Sequence, residues 1–323
     1  VIFGFSNSCT NSKKESVDVA KTHGKCSGHY KCKLAHSDAK ILAEITKHRT
    51  ATPKAVAGVV KNTRELLEME NLPQSPMSIK VMTVNAHKGF TPFNRRFILP
   101  ELRRAVSALS ADMVFLQEVL GEHHAWSKRH ADRWPHKPQY EFLADTIWHS
   151  YAYGRNAVYP NGHHGNALLS KYPIQSWENR DISLNGMERR GLLYSVIALP
   201  DRDRPLHTVC VHLSLREEHR QRQLKMLQAL VQEIPTAEPL IVAGDFNDWL
   251  LQGHRFIEKE IGLHEVFGRG GHKPARTFPA AFPLLRLDRI YTRLARSVTP
   301  VVLPNRPWSH LSDHKPLLAE IIF

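Results

Sequence analysis

The sequence predicts an α+β protein in which two β-sheets pack face to face beneath helices. Three observations carry this reading. Short apolar or alternating segments of strand length recur from Ser78 to the end of the chain. Helical periodicity interrupts them in few places. Several of these segments adjoin through connections too short for a helical crossover, so mainly antiparallel pairing is expected rather than parallel winding.

The elements follow in order. "SIKVMTV" and "DMVFLQ" are strand-like, and "RRFILPELRRAVSALS" between them is a helix. "NALLS", "LLYSVIAL" and "LHTVCVHL" read as further strands. "EEHRQRQLKMLQALVQEI" places Leu224, Leu227, Leu230, Val231 and Ile234 at helical spacing. Then come "LIVAG", a helical "HRFIEKEI", "LDRIYTR", "SVTPVVLP" and a closing "PLLAEIIF".

Upstream the text differs. Pro73 and Pro76 flank a polar joint in "ENLPQSPMSIK". Before it, two short amphipathic helix patterns are separated near Pro53. Residues 1–76 are therefore expected to be an N-terminal extension, partly helical or disordered, and residues 77–323 the functional domain. Cys26, His29, Cys32 and His36 of the extension are spaced more tightly than a zinc finger usually spaces its pairs.

Composition narrows the function. The chain has 323 residues, 42% hydrophobic and 23% charged, which suits a soluble globular protein. No apolar run approaches a membrane span, and "VIFGF" is too short for a signal-peptide core. With four cysteines there is no disulfide scaffold, so a reducing, cytoplasmic compartment is expected. A monomer is expected. The net charge is +13, and both parts of the chain share the excess of base, which predisposes the protein to anionic partners such as nucleic acid.

One pattern repeats. "LIVAGDFNDW" runs a core strand straight into Asp245, Asn247 and Asp248. Other segments end on Asn85 and His87, on Gln117 and Glu118, on His212, at Asp288, and at Asp313 with His314. Each could cap a turn, but burying a polar group costs several kcal/mol unless it is paired. Six such ends together point to one site. Carboxylates, amides and imidazoles without cysteine suit a hard cation, Mg²⁺ or Mn²⁺. Asp245 and Asn247, two apart, would face one side in extended backbone.

These residues resemble the magnesium-dependent endonuclease/exonuclease/phosphatase superfamily, and small bacterial members of it in particular. The matching stretches are "TVNAHKG", "FLQEV", "HGNALLSKYPI", "CVHLSL", "AGDFND", "LDRIY" and "LSDHKPL", in family order over residues 78–323. The resemblance implies a four-layer α/β/β/α sandwich and hydrolysis of a phosphate ester by water attacking phosphorus. It implies Glu118 as the principal metal carboxylate, with Asn85 and Asp313 near the metal. Asp245 would orient or deprotonate the water, Asn247 would hold water and phosphate, and His314 would donate to phosphoryl oxygens. Asp288 would orient a histidine. His212 would stabilise or protonate the phosphate or leaving group, as in the deoxyribonuclease branch rather than the abasic-endonuclease branch. His87 stands where some members carry an acid, which leaves the number of metal ions open.

Asn166 is expected to contact substrate phosphate, with a structural turn as the alternative. Arg189 and Arg190 are candidates for gripping a substrate anion, with a solvated strand edge as the equal alternative. Lys88, Arg95 and Arg96 interleave with Phe90, Phe93 and Phe97 as at surfaces that meet nucleic acid, although the phenylalanines of such a stretch are more often core. The expectation is a phosphodiesterase with nucleic acid as first substrate. The alternatives are a phospholipid or small-molecule phosphoesterase, and a catalytically silent nucleic-acid-binding module.

Overall fold

The computed structural model describes residues 76–145, 147–184, 188–268 and 273–323. The expected N-terminal extension, with its helix patterns and Cys/His cluster, lies outside the described residues. The chain runs β1 (Ser78–Asn85), α1 (Leu99–Leu109), β2 (Met113–His123), α2 (His124–Arg129), α3 (Gln139–Ala144), β3 (Ser150–Tyr159), β4 (Gly162–Ser170), β5 (Ile174–Asp181) and β6 (Gly191–Ile197). It continues through β7 (Leu206–His212), α4 (Glu217–Glu233), β8 (Leu240–Asp245), α5 (Gln252–Phe256), β9 (His264–Glu265), β10 (Asp288–Arg293), β11 (Ser297–Val301) and β12 (Leu317–Ile322).

The strands form two sheets, ordered β11-β12-β1-β2-β4-β3 and β5-β6-β7-β8-β10-β9. Each is antiparallel except for one parallel pair, β1–β2 in the first and β7–β8 in the second. A parallel pair needs a crossover, and α1 and α4 are the helices lying between those strands in the chain.

Side-chain alternation explains why the central strands read as unbroken apolar runs. Val81, Phe115, Cys210, Ala243 and Ile290 pack between the sheets. Their neighbours Met82, Val114 and Leu116 face the layer of α1 and α3, where Leu99, Leu102 and Leu143 cover them. On the other side Val209, Val211 and Val242 meet Leu224, Leu227 and Leu230 of α4. Each such leucine contributes roughly 1.5–3 kcal/mol on burial. With both faces covered the result is the four-layer α/β/β/α sandwich.

The two-residue β9 was not foreseen, nor were two longer strands, β3 "SYAYGRNAVY" and β5 "IQSWENRD". Both alternate weakly and leave much of their length partly or fully exposed at a sheet edge, so neither carries an apolar stripe. At Gly244 the backbone has φ +147°, and an added Cβ would stand 2.0 Å from the Val211 carbonyl oxygen. Only glycine lets β8 lie this close to β7 just before Asp245.

Glu265 of β9 is buried, and its carboxylate accepts from the Gly268 amide while one oxygen has no partner. Burial pushes its carboxyl up from 4.5 to about 7. A pKa raised on folding stabilises fully below the unfolded value, and the contribution disappears as pH rises through the folded one. Glu265→Gln is therefore expected to flatten this dependence. Its stability relative to the wild type should rise by up to about 3 kcal/mol between pH 4.5 and pH 8. Thermal or urea unfolding across that range checks it.

Candidate active site

Inner-face alternation carries polar residues to the mouth between the sheets. His212 closes β7, Asp245 closes β8 and Asp288 opens β10, and the register sets all three side by side. From the other sheet Asn85, last residue of β1, donates its Nδ2 to Asp245 Oδ2 at 3.2 Å. The same oxygen lies 3.6 Å from His212 Nε2 and 3.9 Å from His314 Nε2. His314 Nδ1 is 2.8 Å from Asp288 Oδ2. All five residues are buried.

The loops brace this group. Ser312 Oγ donates to the Asn85 carbonyl at 2.6 Å and accepts from the His314 amide at 3.2 Å. Thr277 Oγ1 accepts from the Asp288 amide at 3.2 Å. Neither brace was anticipated, because a lone Ser or Thr in a loop carries no sequence signal. Asn247 has φ +51°, so it departs from the extended backbone expected of it. Its amide donates to Asp245 Oδ1 at 3.0 Å and its Nδ2 to the Leu213 carbonyl at 3.0 Å. Asp248 faces away and pairs with buried Arg289 at 3.1 Å.

Charge is sorted unevenly among these groups. Burial alone would lower His314, but the Asp288 and Asp245 carboxylates raise it well above its usual value, so it is protonated at neutral pH. Burial holds His212 far below its usual value and the nearby Arg190 adds to this, so His212 is neutral. Burial pushes Asp245 up to about 6; His314 opposes the shift and Asp288 adds to it. Asp245 is thus ionised at neutral pH yet a stronger base than an exposed aspartate.

Glu118 was expected at a strand end and instead lies within β2. The register jumps between Leu116 and Val119, a β-bulge that leaves Glu118 at φ +54°. By alternation it would face the helical layer, and the bulge turns it towards Lys88 and His87. Lys88 Nζ lies 2.5 Å from Glu118 Oε2. His87 Nδ1 lies 3.2 Å from Asp313 Oδ2 and 3.9 Å from Glu118 Oε2, while its Nε2 is buried without a partner. Burial would raise the Glu118 carboxyl, but the Lys88 ammonium and neighbouring histidines hold it well below the usual carboxylate range.

These donors fit a divalent cation. Glu118 is firmly anionic, Asp313 stands beside the same imidazole, and an ammonium already occupies the position a cation would contest. Asp245, Asp288 and His314 also offer ligand atoms within 4.8 Å of one another. Within that cluster only the His314–Asp288 contact is a hydrogen bond; Asp245 Oδ2 stands 3.9 Å from His314 Nε2.

Of the expected substrate contacts, Asn166 uses Nδ2 on the Gly191 and Cys210 carbonyls, at 3.0 and 3.4 Å, tying one sheet to the other. Its Oδ1 is buried without a partner. Arg190 Nε donates to the Leu213 carbonyl at 3.2 Å, beside His212. His164 joins the group from β4. Burial and the Lys88 charge hold it down to about 4.

A sequence model of the Endonuclease/Exonuclease/phosphatase family matches residues 82–314. The Escherichia coli K12 protein YbhP is 58% identical over 244 residues, 76% of this chain and 96% of that protein. Among solved structures, an endonuclease/exonuclease/phosphatase from Beutenbergia cavernae aligns with TM-score 0.59 at 19% identity, covering 76% of this chain and 71% of that one. A mannosyl-6-phosphatase of Bacteroides thetaiotaomicron, Bt3783, aligns with TM-score 0.56 at 16% identity, covering 76% and 100%.

Proposed function

The chain belongs to the endonuclease/exonuclease/phosphatase family, and from that premise we propose that it hydrolyses a phosphodiester by attack of water on phosphorus. The family is generally hydrolytic towards phosphoester bonds and generally depends on a divalent metal. The observation that supports the reading best is Asp245 between two histidines of different protonation state, His314 protonated on Asp288 and His212 neutral.

In this reading Asp245 accepts the proton of the attacking water, and Asn85 and Asn247 keep its two oxygens in place. His314 donates to a phosphoryl oxygen, where negative charge grows in the transition state. Asp288 fixes the imidazolium by its Nδ1–H. His212 serves the leaving oxygen, and Lys88, Arg190 and Asn166 serve the phosphate. Glu118, with Asp313 and Asn85, would hold the Mg²⁺ or Mn²⁺ ion, which supplies further positive charge at the phosphate. The balance is simple: the water oxygen bonds to phosphorus, one ester P–O bond breaks, and the proton that Asp245 takes from the water is passed through His212, 3.6 Å away, to the departing oxygen, which leaves as the alcohol.

The full chain is expected to turn over a soluble bis-aryl phosphodiester with Mg²⁺ or Mn²⁺ and to lose that activity in chelator. Activity indifferent to chelation would contradict the reading. Tight, salt-sensitive nucleic-acid binding without turnover would favour the silent binding module.

A further inference from the structure

Phe278 to Leu285, "FPAAFPLL", is eight residues without one polar side chain, yet of these only Ala280 is buried. Phe282 is 72% exposed and Leu284 50%. The segment is a hairpin closed by a Phe278–Leu285 bridge. Its base is fastened to the site. The Phe278 ring lies 5.1 Å from the His314 ring, and the Ala280 amide donates to the Asp313 carbonyl at 2.7 Å. The apolar tip therefore stands at the mouth of the site.

Other loops at the same edge repeat the feature. Phe93 follows β1 and is 83% exposed, Leu215 follows β7, and Leu250 follows β8, both more than half exposed. Isolated exposed apolar residues need no explanation, but several on the loops that leave the strands ending in Asn85, His212 and Asp245, together with the hairpin fastened to His314, mark a surface that meets something apolar.

Charge identifies the occupant. Arg276 and Arg286 bracket the hairpin, Arg95 follows Phe93, Arg96 after it is paired with Glu101 at 3.1 Å, and Arg216 follows Leu215. The Arg95 guanidinium lies 5.2 Å from the Phe93 ring centre. The acids in and next to these loops are paired with bases, Asp248 with Arg289, Asp313 with His87, Glu217 with Arg220 and Glu218 with Arg222. Apolar tips with cationic flanks match the boundary between acyl chains and anionic headgroups. Nucleic acid would use the arginines but gains no stacking from Leu215, Leu250 or Leu284. A second copy would set two cationic rims against each other.

We propose that the mouth docks on an anionic lipid surface and that the phosphoester it hydrolyses is carried by a lipid headgroup. Phe282 and Leu284 enter the boundary, and the flanking arginines meet headgroup phosphates. The second half rests on the phosphoesterase reading above; the docking half does not. The bond changes are those already given, with the lipid or its headgroup leaving as the alcohol.

The test floats the full chain with vesicles of phosphatidylcholine, with and without phosphatidylglycerol, beside the variant Phe282→Asp/Leu284→Asp. The wild type is expected to bind the anionic vesicles preferentially. The variant should lose at least about tenfold in affinity while hydrolysing the soluble bis-aryl diester unchanged. Equal binding by both proteins overturns the proposal, as does nucleic-acid binding that outcompetes the vesicles, or a wild-type dimer that the substitutions dissolve. If neither protein turns over the soluble diester, the phosphoesterase reading fails, while the vesicle comparison still reports on docking.

Discussion

Asp245→Asn is expected to lower kcat on a soluble phosphodiester by about a thousandfold while leaving KM within a few-fold. The substitution keeps the shape and removes the base. Asp245 Oδ2 is the point on which Asn85, His212 and His314 converge, within 3.2 to 3.9 Å. An amide can keep the Asn85 contact through its oxygen but takes no proton from water. Folding should survive, because burial already disfavours the Asp245 charge. His314 loses one of the three carboxylates that raise it and keeps Asp288 and Asp313. An unfolding transition near that of the wild type, together with the lost kcat, separates a chemical role from a structural one. Wild-type kcat would remove Asp245 from the reaction.

Glu118→Gln is expected to weaken Mn²⁺ binding by about a hundredfold, with a parallel loss of activity that higher metal partly restores. Glu118 is aimed by a bulge and a left-handed backbone, and it is kept anionic by the cations around it. Lys88 contests the same oxygen at 2.5 Å, so the neutral amide loses the metal and the ammonium alike. Titration calorimetry with Mn²⁺ reads the affinity independently of turnover. Unchanged affinity would move the cation to Asp245 and Asp288.

What the sequence disclosed follows physical rules. β1, β7 and β8 were legible because both their faces are buried, which forces continuous apolar runs ending abruptly in polar residues. That abruptness also revealed Asn85, His212 and Asp245. The edge strands β3 and β5 left no such run. The bulge at Glu118 was invisible, since its positive φ falls on a residue type with no preference for it. The braces at Thr277 and Ser312 depend on contacts distant in sequence. "FPAAFPLL" could have been noticed for its composition, but only its exposure separates it from a core segment.

The central claim is that water attacks phosphorus with Asp245 taking its proton. The most direct measurement follows turnover of the bis-aryl phosphodiester by the full chain in water enriched in heavy oxygen, with the label located by mass spectrometry. The account predicts label in the phosphoryl product and none in the released phenol, with the reaction nearly absent in Asp245→Asn. Label in the phenol, or equal turnover by wild type and Asp245→Asn, would contradict it.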